Sequence, residues 1–75
     1  DQPLGLVAGA GQFPFLCARA ARRCGRKVVA IAHKGETDSL LSEEVDQIEW
    51  VHLGQLGKLI KTLKKAGASE AIFAG

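Results

Sequence analysis

A glycine-containing segment, Gly9 to Phe13, directly follows the first apolar run of the chain and has the composition of a phosphate-binding loop. Gly9 and Gly11 allow the backbone to approach a ligand closely and to adopt positive φ angles. A helix that begins directly afterwards directs free N–H groups and its positive dipole end at the same place. We therefore predict a phosphate or nucleotide site here, although the same glycines are also typical of a simple tight turn. The predicted ligand-binding residues of this loop are Gly9, Ala10, Gly11 and Gln12.

The residue that follows this loop argues against a conventional dinucleotide site. In the motif G-x-G-x-x-G the third glycine permits close packing of helix and strand, and Pro14 occupies that position here. A dinucleotide site also needs an acidic residue at the end of the next strand, about 20 residues further on. At that point the sequence reads Ala32-His33-Lys34. The acids that come later, Glu36 and Asp38, are typical of a solvated loop and of a helix cap.

A second glycine-containing segment, Gly54 to Lys58, resembles the end of a Walker loop. The match is incomplete, because Leu59 stands where a Walker loop has the Ser or Thr that binds magnesium. Glycine inside the first turn of a helix costs about 1 kcal/mol relative to alanine. Gly57 therefore indicates either a demanding turn or a closely approaching ligand. The predicted ligand-binding residues of this segment are Gly54, Gln55, Gly57 and Lys58.

The isolated histidines and cysteines are weaker evidence for a functional site than the two glycine segments. His33 and His52 lie near predicted strand ends, where each could contact a ligand, but isolated histidines are more often surface residues. Cys17 and Cys24 are seven residues apart, which is about 10 Å along a helix and too far for a disulfide. Their spacing is not that of a zinc site either, so we predict two buried thiols in a reducing compartment.

Composition excludes several other functions. The chain has 75 residues, a net charge of +2 and 47% hydrophobic residues, which is typical of one small globular domain. It lacks any apolar run near the roughly 20 residues of a membrane span. Its basic residues are not interleaved with aromatic ones, so we predict solvated helix faces rather than a nucleic-acid surface. These basic groups are Arg19, Arg22, Arg23, Arg26 and Lys27, and Lys58, Lys61, Lys64 and Lys65.

Four apolar runs alternate with helical patterns and would place the two glycine segments at one edge of a sheet. The predicted strands are Leu4–Ala8, Val28–Ala32, Gln47–Val51 and Ala71–Ala74; the alternating third strand is expected at a sheet edge. The predicted helices run from Pro14 to Gly25, from Ser39 to Glu44 and from Gly54 to Gly67. Their predicted buried residues are Leu16, Cys17, Ala20, Ala21 and Cys24 in the first, and Leu56, Leu59, Ile60, Leu63 and Ala66 in the last.

This order predicts an α/β, Rossmann-like three-layer domain with a four-stranded parallel sheet, formed by residues 1–75 as a single unit. Ligands of such sheets bind at the carboxyl ends of the strands. The loops 9–13, 33–38 and 52–55 converge there. The sequence contains no pair of nucleophile and base with convincing spacing anywhere.

The set of motifs is similar to the N-terminal domain of the LpxI family, the UDP-2,3-diacylglucosamine pyrophosphatases, formerly a domain of unknown function. The chain reads G-L-V-A-G-x-G-x-x-P, then a basic helix, then V-V-A-I-A and K-G-E-T-D. It continues V-D-x-I-x-W-V-x-L-G-Q-L-G-K-L-I and ends in A-I-F-A-G. The resemblance covers nearly the whole chain, and W-V-x-L-G-Q-L-G-K-L-I is its most specific part.

The resemblance implies a hydrolase that acts in the biosynthesis of lipid A, and hence of lipopolysaccharide, in Gram-negative bacteria. The family cleaves the pyrophosphate of UDP-2,3-diacylglucosamine into UMP and lipid X: water attacks the α-phosphorus and Mg²⁺ is the cofactor. The catalytic acids, and with them the metal ligands, are expected in a second, C-terminal domain. This chain alone is then expected to be inactive. The motif positions that carry over are Gly9, Gly11, Pro14, Gly54, Gln55, Gly57 and Lys58.

The ends of the sequence agree with that expectation. It begins at Asp1 without a methionine or a signal-peptide pattern, and it ends at Gly75 after an apolar run. We expect a fragment of a longer cytoplasmic enzyme, peripheral to the inner membrane, whose partners are a UDP-linked acylated sugar and its own C-terminal domain. The sequence leaves a homodimer open. It also leaves open a nucleotide- or NAD-binding module of another enzyme, and a structural or regulatory domain that docks on a partner.

Overall fold

The computed structural model describes residues 2–52 and 54–75, and all of their side chains except that of Leu56. Its elements in chain order are β1 (Leu4–Ala8), α1 (Phe13–Arg23), β2 (Val28–His33), a 3₁₀ helix (Ser39–Glu44), β3 (Gln47–Val51), α2 (Leu56–Lys65) and β4 (Glu70–Ala74). The predicted strands and helices are thus all present. β2 is one residue longer than predicted because His33 still pairs with Val51 of β3.

The four strands form one parallel sheet in the order β3-β2-β1-β4. This confirms the predicted α/β fold with a four-stranded parallel sheet, and it confirms β3 as an edge strand. β4 forms the opposite edge. Because all strands run in the same direction, their carboxyl ends lie along one edge of the sheet, as do the loops that follow them.

Helices cover both faces of the sheet. On the first face, α1 and the 3₁₀ helix enclose a core with Leu6, Phe15 and Leu41 at its centre. On the second face, Leu59 of α2 packs on Val7, Ile31 and Val51. None of the described helices has the length and apolarity needed to cross a lipid bilayer.

The buried stripe of α1 differs from the predicted one. Leu16 was expected in the core but is 56% exposed, whereas Phe15 is only 6% exposed. The helix is rotated so that Pro14, Phe15 and Ala18 face the sheet, because this phase buries the large aromatic ring. The prediction of two buried thiols was wrong for Cys24, which is exposed, while Cys17 is half-buried.

The second helix also begins later and buries less than predicted. Gly54 has a φ of +91°, which an α-helix does not accept, so α2 begins only at Leu56. Ile60 was expected in the apolar stripe but is 46% exposed, while Leu59 is buried and Leu63 packs partly against it. The predicted place of the Leu56 side chain lies outside the described part of the structure.

Charged residues lie where the helix dipole favours them. Arg22 and Arg23 lie in the last turn of α1, and Lys64 and Lys65 in that of α2, which is the stabilising end for cations. The carboxylate of Asp38 accepts from the amide of Leu40 and caps the 3₁₀ helix, as predicted.

Candidate functional site

An open crevice of about 260 Å³ lies at the carboxyl ends of β1, β2 and β3, beside the start of α2. Its walls are mostly apolar and its polar groups few, which is the usual character of a small-molecule site. The residues that line it are Val7, His33, Val51, Gly54, Gln55, Leu59 and Phe73.

A second hollow, of about 230 Å³, adjoins this crevice and extends toward the glycine loop. The two hollows share Val7, His33 and Phe73, and the second also reaches Gly9 and Gly75. The structure therefore brings the start of the first glycine segment and the residues Gly54 and Gln55 to one surface region. His33 lies between them.

Gly9 is explained by the packing of the strand ends. Its amide donates to the carbonyl of Ala74 over 2.7 Å, so this N–H is not available to a ligand. A Cβ atom at Gly9 would lie 2.5 Å from the carbonyl oxygen of Gly75, so only glycine allows β1 and β4 to end so close together.

Further along the glycine loop the backbone of Ala10 lies beside Gly75, and Gly11 is open. Gly11 has a φ of +84°, and a Cβ atom there would meet nothing within 4 Å. The amides of Ala10, Gly11 and Gln12 donate to no acceptor among residues 2–52 and 54–75. Pro14 is fully buried in the first turn of α1, where its missing N–H has no cost. These open amides precede a helix N-terminus, which is a favourable place for an anion.

Neither α-helix has an N-cap hydrogen bond from the side chain of its N-cap residue. The first turns of α1 and α2 contain no acidic residue, and neither Gln12 nor Gln55 caps the helix with its side chain. Both helices follow strands, so both N-termini lie at the carboxyl edge of the sheet. Within the described residues, their amides remain available to a ligand from outside the chain.

Gln55 is fixed by a different bond. The backbone amide of His52 donates to Oε1 of Gln55 over 2.6 Å. The side chain therefore closes the turn before α2 and remains at the wall of the crevice.

Two predicted residues of the second segment lie apart from the crevice. Nζ of Lys58 is 3.7 Å from Oε2 of Glu49, and both side chains are about half-exposed; such a surface pair contributes little to stability. Lys58 lines a separate hollow with Glu49 and Thr62. Gly57 is exposed and has an ordinary helical φ, and a Cβ atom there would meet nothing within 4 Å. The turn therefore does not require glycine at this position.

The structure adds a buried polar contact that the sequence did not reveal. The Thr37 hydroxyl donates to the carbonyl of Ala8 over 2.9 Å and accepts from the amide of His33 over 2.9 Å. Nδ1 of His33 is also 2.9 Å from that carbonyl. Thr37 is buried, and these bonds hold His33 against the end of β1. No periodicity in the sequence signals a single polar residue that bonds across 29 positions.

The described residues do not form a magnesium site. In residues 2–52 and 54–75, no three His, Cys, Asp or Glu side chains are grouped so that they could hold a metal ion. Asp38 is engaged in its helix cap. Hard cations such as Mg²⁺ need several oxygen ligands, so the described residues do not fit this metal and no catalytic step through it is derived from them.

The fold and the crevice together define a parallel α/β domain of Rossmann-like type with its candidate site at the carboxyl edge of the sheet. A family model described as the LpxI N-terminal domain matches residues 3–75. The chain therefore belongs to the LpxI N-terminal domain family, as its motifs predicted. This membership indicates a domain of an enzyme related to lipid A biosynthesis, and the family's description implies a further domain. A search of the curated proteins finds no match.

Proposed function

We propose that this chain is the nucleotide-facing domain of a hydrolase that cleaves UDP-2,3-diacylglucosamine into UMP and lipid X. Family membership supports the pathway. The observation that carries the proposal is the group of open amides at Ala10, Gly11 and Gln12, which precedes α1 beside a largely apolar hollow. Amides of this kind bind phosphate oxygens without a charged side chain.

In this proposal the domain binds and orients the substrate. The glycine loop holds one phosphate of the pyrophosphate, and the dipole of α1 favours its negative charge. The crevice beside His33 takes an uncharged part of the ligand. The acids that act on the α-phosphorus, and the ligands of the magnesium ion that would polarise the phosphate, belong to the further domain. The chain alone is therefore expected to bind nucleotide without hydrolysing it.

The test is a Gly11→Val substitution in the protein that carries both domains, with UMP release as the measured quantity. A side chain at this open position would cover the amides and strain a backbone with φ of +84°. We expect UMP release to fall by a factor of at least about 10, which corresponds to the loss of one to two charge-assisted hydrogen bonds.

Gly25→Val is the matched control. Gly25 has a similar φ of +80° and equally open surroundings, but it follows α1 and lies away from the carboxyl edge. A similar loss in both variants would indicate backbone strain alone. Full activity of the Gly11→Val enzyme would contradict the proposal.

A further inference from the structure

We propose that the crevice recognises a planar group with an N–H donor beside a carbonyl acceptor, as at the edge of an imide or a carboxamide. The recognising atoms are Nε2 of His33 as acceptor and the side-chain NH₂ of Gln55 as donor. This inference extends the proposed function at the same site and rests on it only for the identity of the first probe.

The tautomer of His33 follows from its partner. Nδ1 of His33 is 2.9 Å from the carbonyl oxygen of Ala8, and a carbonyl oxygen can only accept a hydrogen bond. Nδ1 therefore carries the proton. In the neutral ring, Nε2 is then an acceptor with a free lone pair.

This lone pair has no partner among residues 2–52 and 54–75. His33 itself is half-buried. Since His33 lines the crevice, a ligand there can reach this atom.

The orientation of the Gln55 amide follows in the same way. The His52 backbone N–H is a donor, so the atom of Gln55 that it contacts at 2.6 Å is the oxygen. The NH₂ group, with two donors, then remains for a ligand at the crevice wall.

The remaining walls favour a flat, uncharged group. Val7, Val51 and Leu59 are buried apolar residues, and the Phe73 side chain, 72% exposed, presents an uncovered ring. These apolar walls offer no counter-charge to a phosphate, whereas the amides of Ala10, Gly11 and Gln12 offer donors. In this proposal the phosphate therefore lies at the loop and the planar end of the ligand in the crevice.

The experiment compares ligands that differ at one donor, titrated into the chain and followed by NMR. UMP has an imide N–H between two carbonyls, and methylation of this nitrogen removes the donor. We expect UMP to bind at least about 10-fold more tightly than its N-methylated form, because the methylated imide leaves His33 unpaired. Equal binding of the two would overturn this inference and leave the proposed function intact.

Two variants test whether Gln55 and His33 are the residues that recognise UMP. Gln55→Glu keeps the oxygen that accepts from His52 but removes the donor, so it should weaken UMP binding while the fold is retained. His33→Phe should abolish the preference for UMP over its methylated form. An unchanged preference in His33→Phe would overturn the inference.

Two further measurements separate the inference from the proposed function. Nitrogen chemical shifts of the His33 ring in the free chain should report the Nδ1–H tautomer, and the other tautomer would overturn the inference without any ligand. Binding of nicotinamide mononucleotide, whose carboxamide has the same donor and acceptor, in the absence of UMP binding would support the crevice chemistry and contradict the UDP-sugar proposal. Binding of neither would overturn both.

Discussion

Thr37 and His33 show how single side chains can hold a site together. The Thr37 hydroxyl bonds both the amide of His33 and the carbonyl of Ala8, so it links the loop after β2 to the end of β1. Its side chain is buried, where an unmade hydrogen bond is more costly than at the surface. The geometry of the crevice therefore depends on this one hydroxyl.

Replacing Thr37 by valine should destabilise the chain by about 1–3 kcal/mol, because a buried amide loses its partner while the shape is preserved. The measurement is urea unfolding of the chain followed by circular dichroism. Thr37→Ser, which keeps the hydroxyl, should lose less than half as much. Equal stability of Thr37→Val and the parent chain would mean that these bonds contribute nothing.

For single residues, the sequence predicted contacts between neighbours in the chain and missed contacts between residues far apart in the chain. Asp38 was predicted to cap a helix because the bond to Leu40 spans only two residues. Pro14 was placed correctly because its ring suits a first helical turn. The contact between Thr37 and Ala8 depends on which strands are neighbours, and no pattern near Thr37 contains that information. Lys58, in contrast, was assigned to the site by motif and lies elsewhere.

The first turn of α2 carries a glycine that the helix itself does not need. Gly57 has ordinary helical backbone geometry and open space around it. Gly57→Ala should therefore raise the free energy of unfolding by about 0.5–1 kcal/mol, measured by thermal unfolding without ligand.

The control for this substitution is Gly25→Ala. Gly25 has a φ of +80°, so alanine there should lower stability instead of raising it. If Gly57→Ala also weakens UMP binding while it stabilises the chain, a ligand approaches this turn closely. A destabilised Gly57→Ala chain would show that the turn has an unrecognised requirement for glycine.

The phase of α1 was the main error at the level of elements. Two overlapping stripes have helical spacing, one through Leu16 and one through Phe15, and small residues fill much of both. The prediction followed the stripe through Leu16, and the sequence pattern does not show how much room the sheet leaves beneath the helix. The structure buries Phe15 with Ala18 in the core of the first face.

This assignment predicts opposite sensitivities for adjacent residues. Phe15→Ala should destabilise the chain by about 3–5 kcal/mol, the usual cost of removing a buried aromatic ring. Leu16→Gln should change stability by less than about 0.5 kcal/mol, as exposed positions do. Urea unfolding of the two variants is the measurement, and the reverse order of effects would show that the helix has the other phase.

The helices cover the four strands of the sheet unevenly. β4 forms a sheet edge with four of its five residues exposed, and Ile72 and Phe73 are exposed large apolar residues on it. Unpaired edge strands with apolar side chains promote association between chains. The parallel sheet and the convergence of its loops could be predicted from the order of elements, but the exposure of this edge could not, because it depends on which helices lie over β4.

Ile72→Lys should therefore reduce any concentration-dependent association of the chain, measured by sedimentation velocity, because a lysine on an edge strand opposes pairing. Leu40→Lys is the control, since Leu40 is also a large apolar residue and is even more exposed than Ile72 but lies on the 3₁₀ helix. An equal effect of both substitutions would indicate general hydrophobic association, independent of the strand edge.

One carbonyl group couples the two parts of the candidate site. The oxygen of Ala8 accepts from Thr37 and lies within hydrogen-bond distance of His33, and Ala8 is followed directly by Gly9 at the start of the glycine loop. The imidazole ring and the start of the loop are thus separated by a single peptide unit. A single ligand that occupies both the crevice and the loop should need to order this peptide unit only once. Its binding affinity should therefore exceed the affinity expected from the separate binding of its two halves.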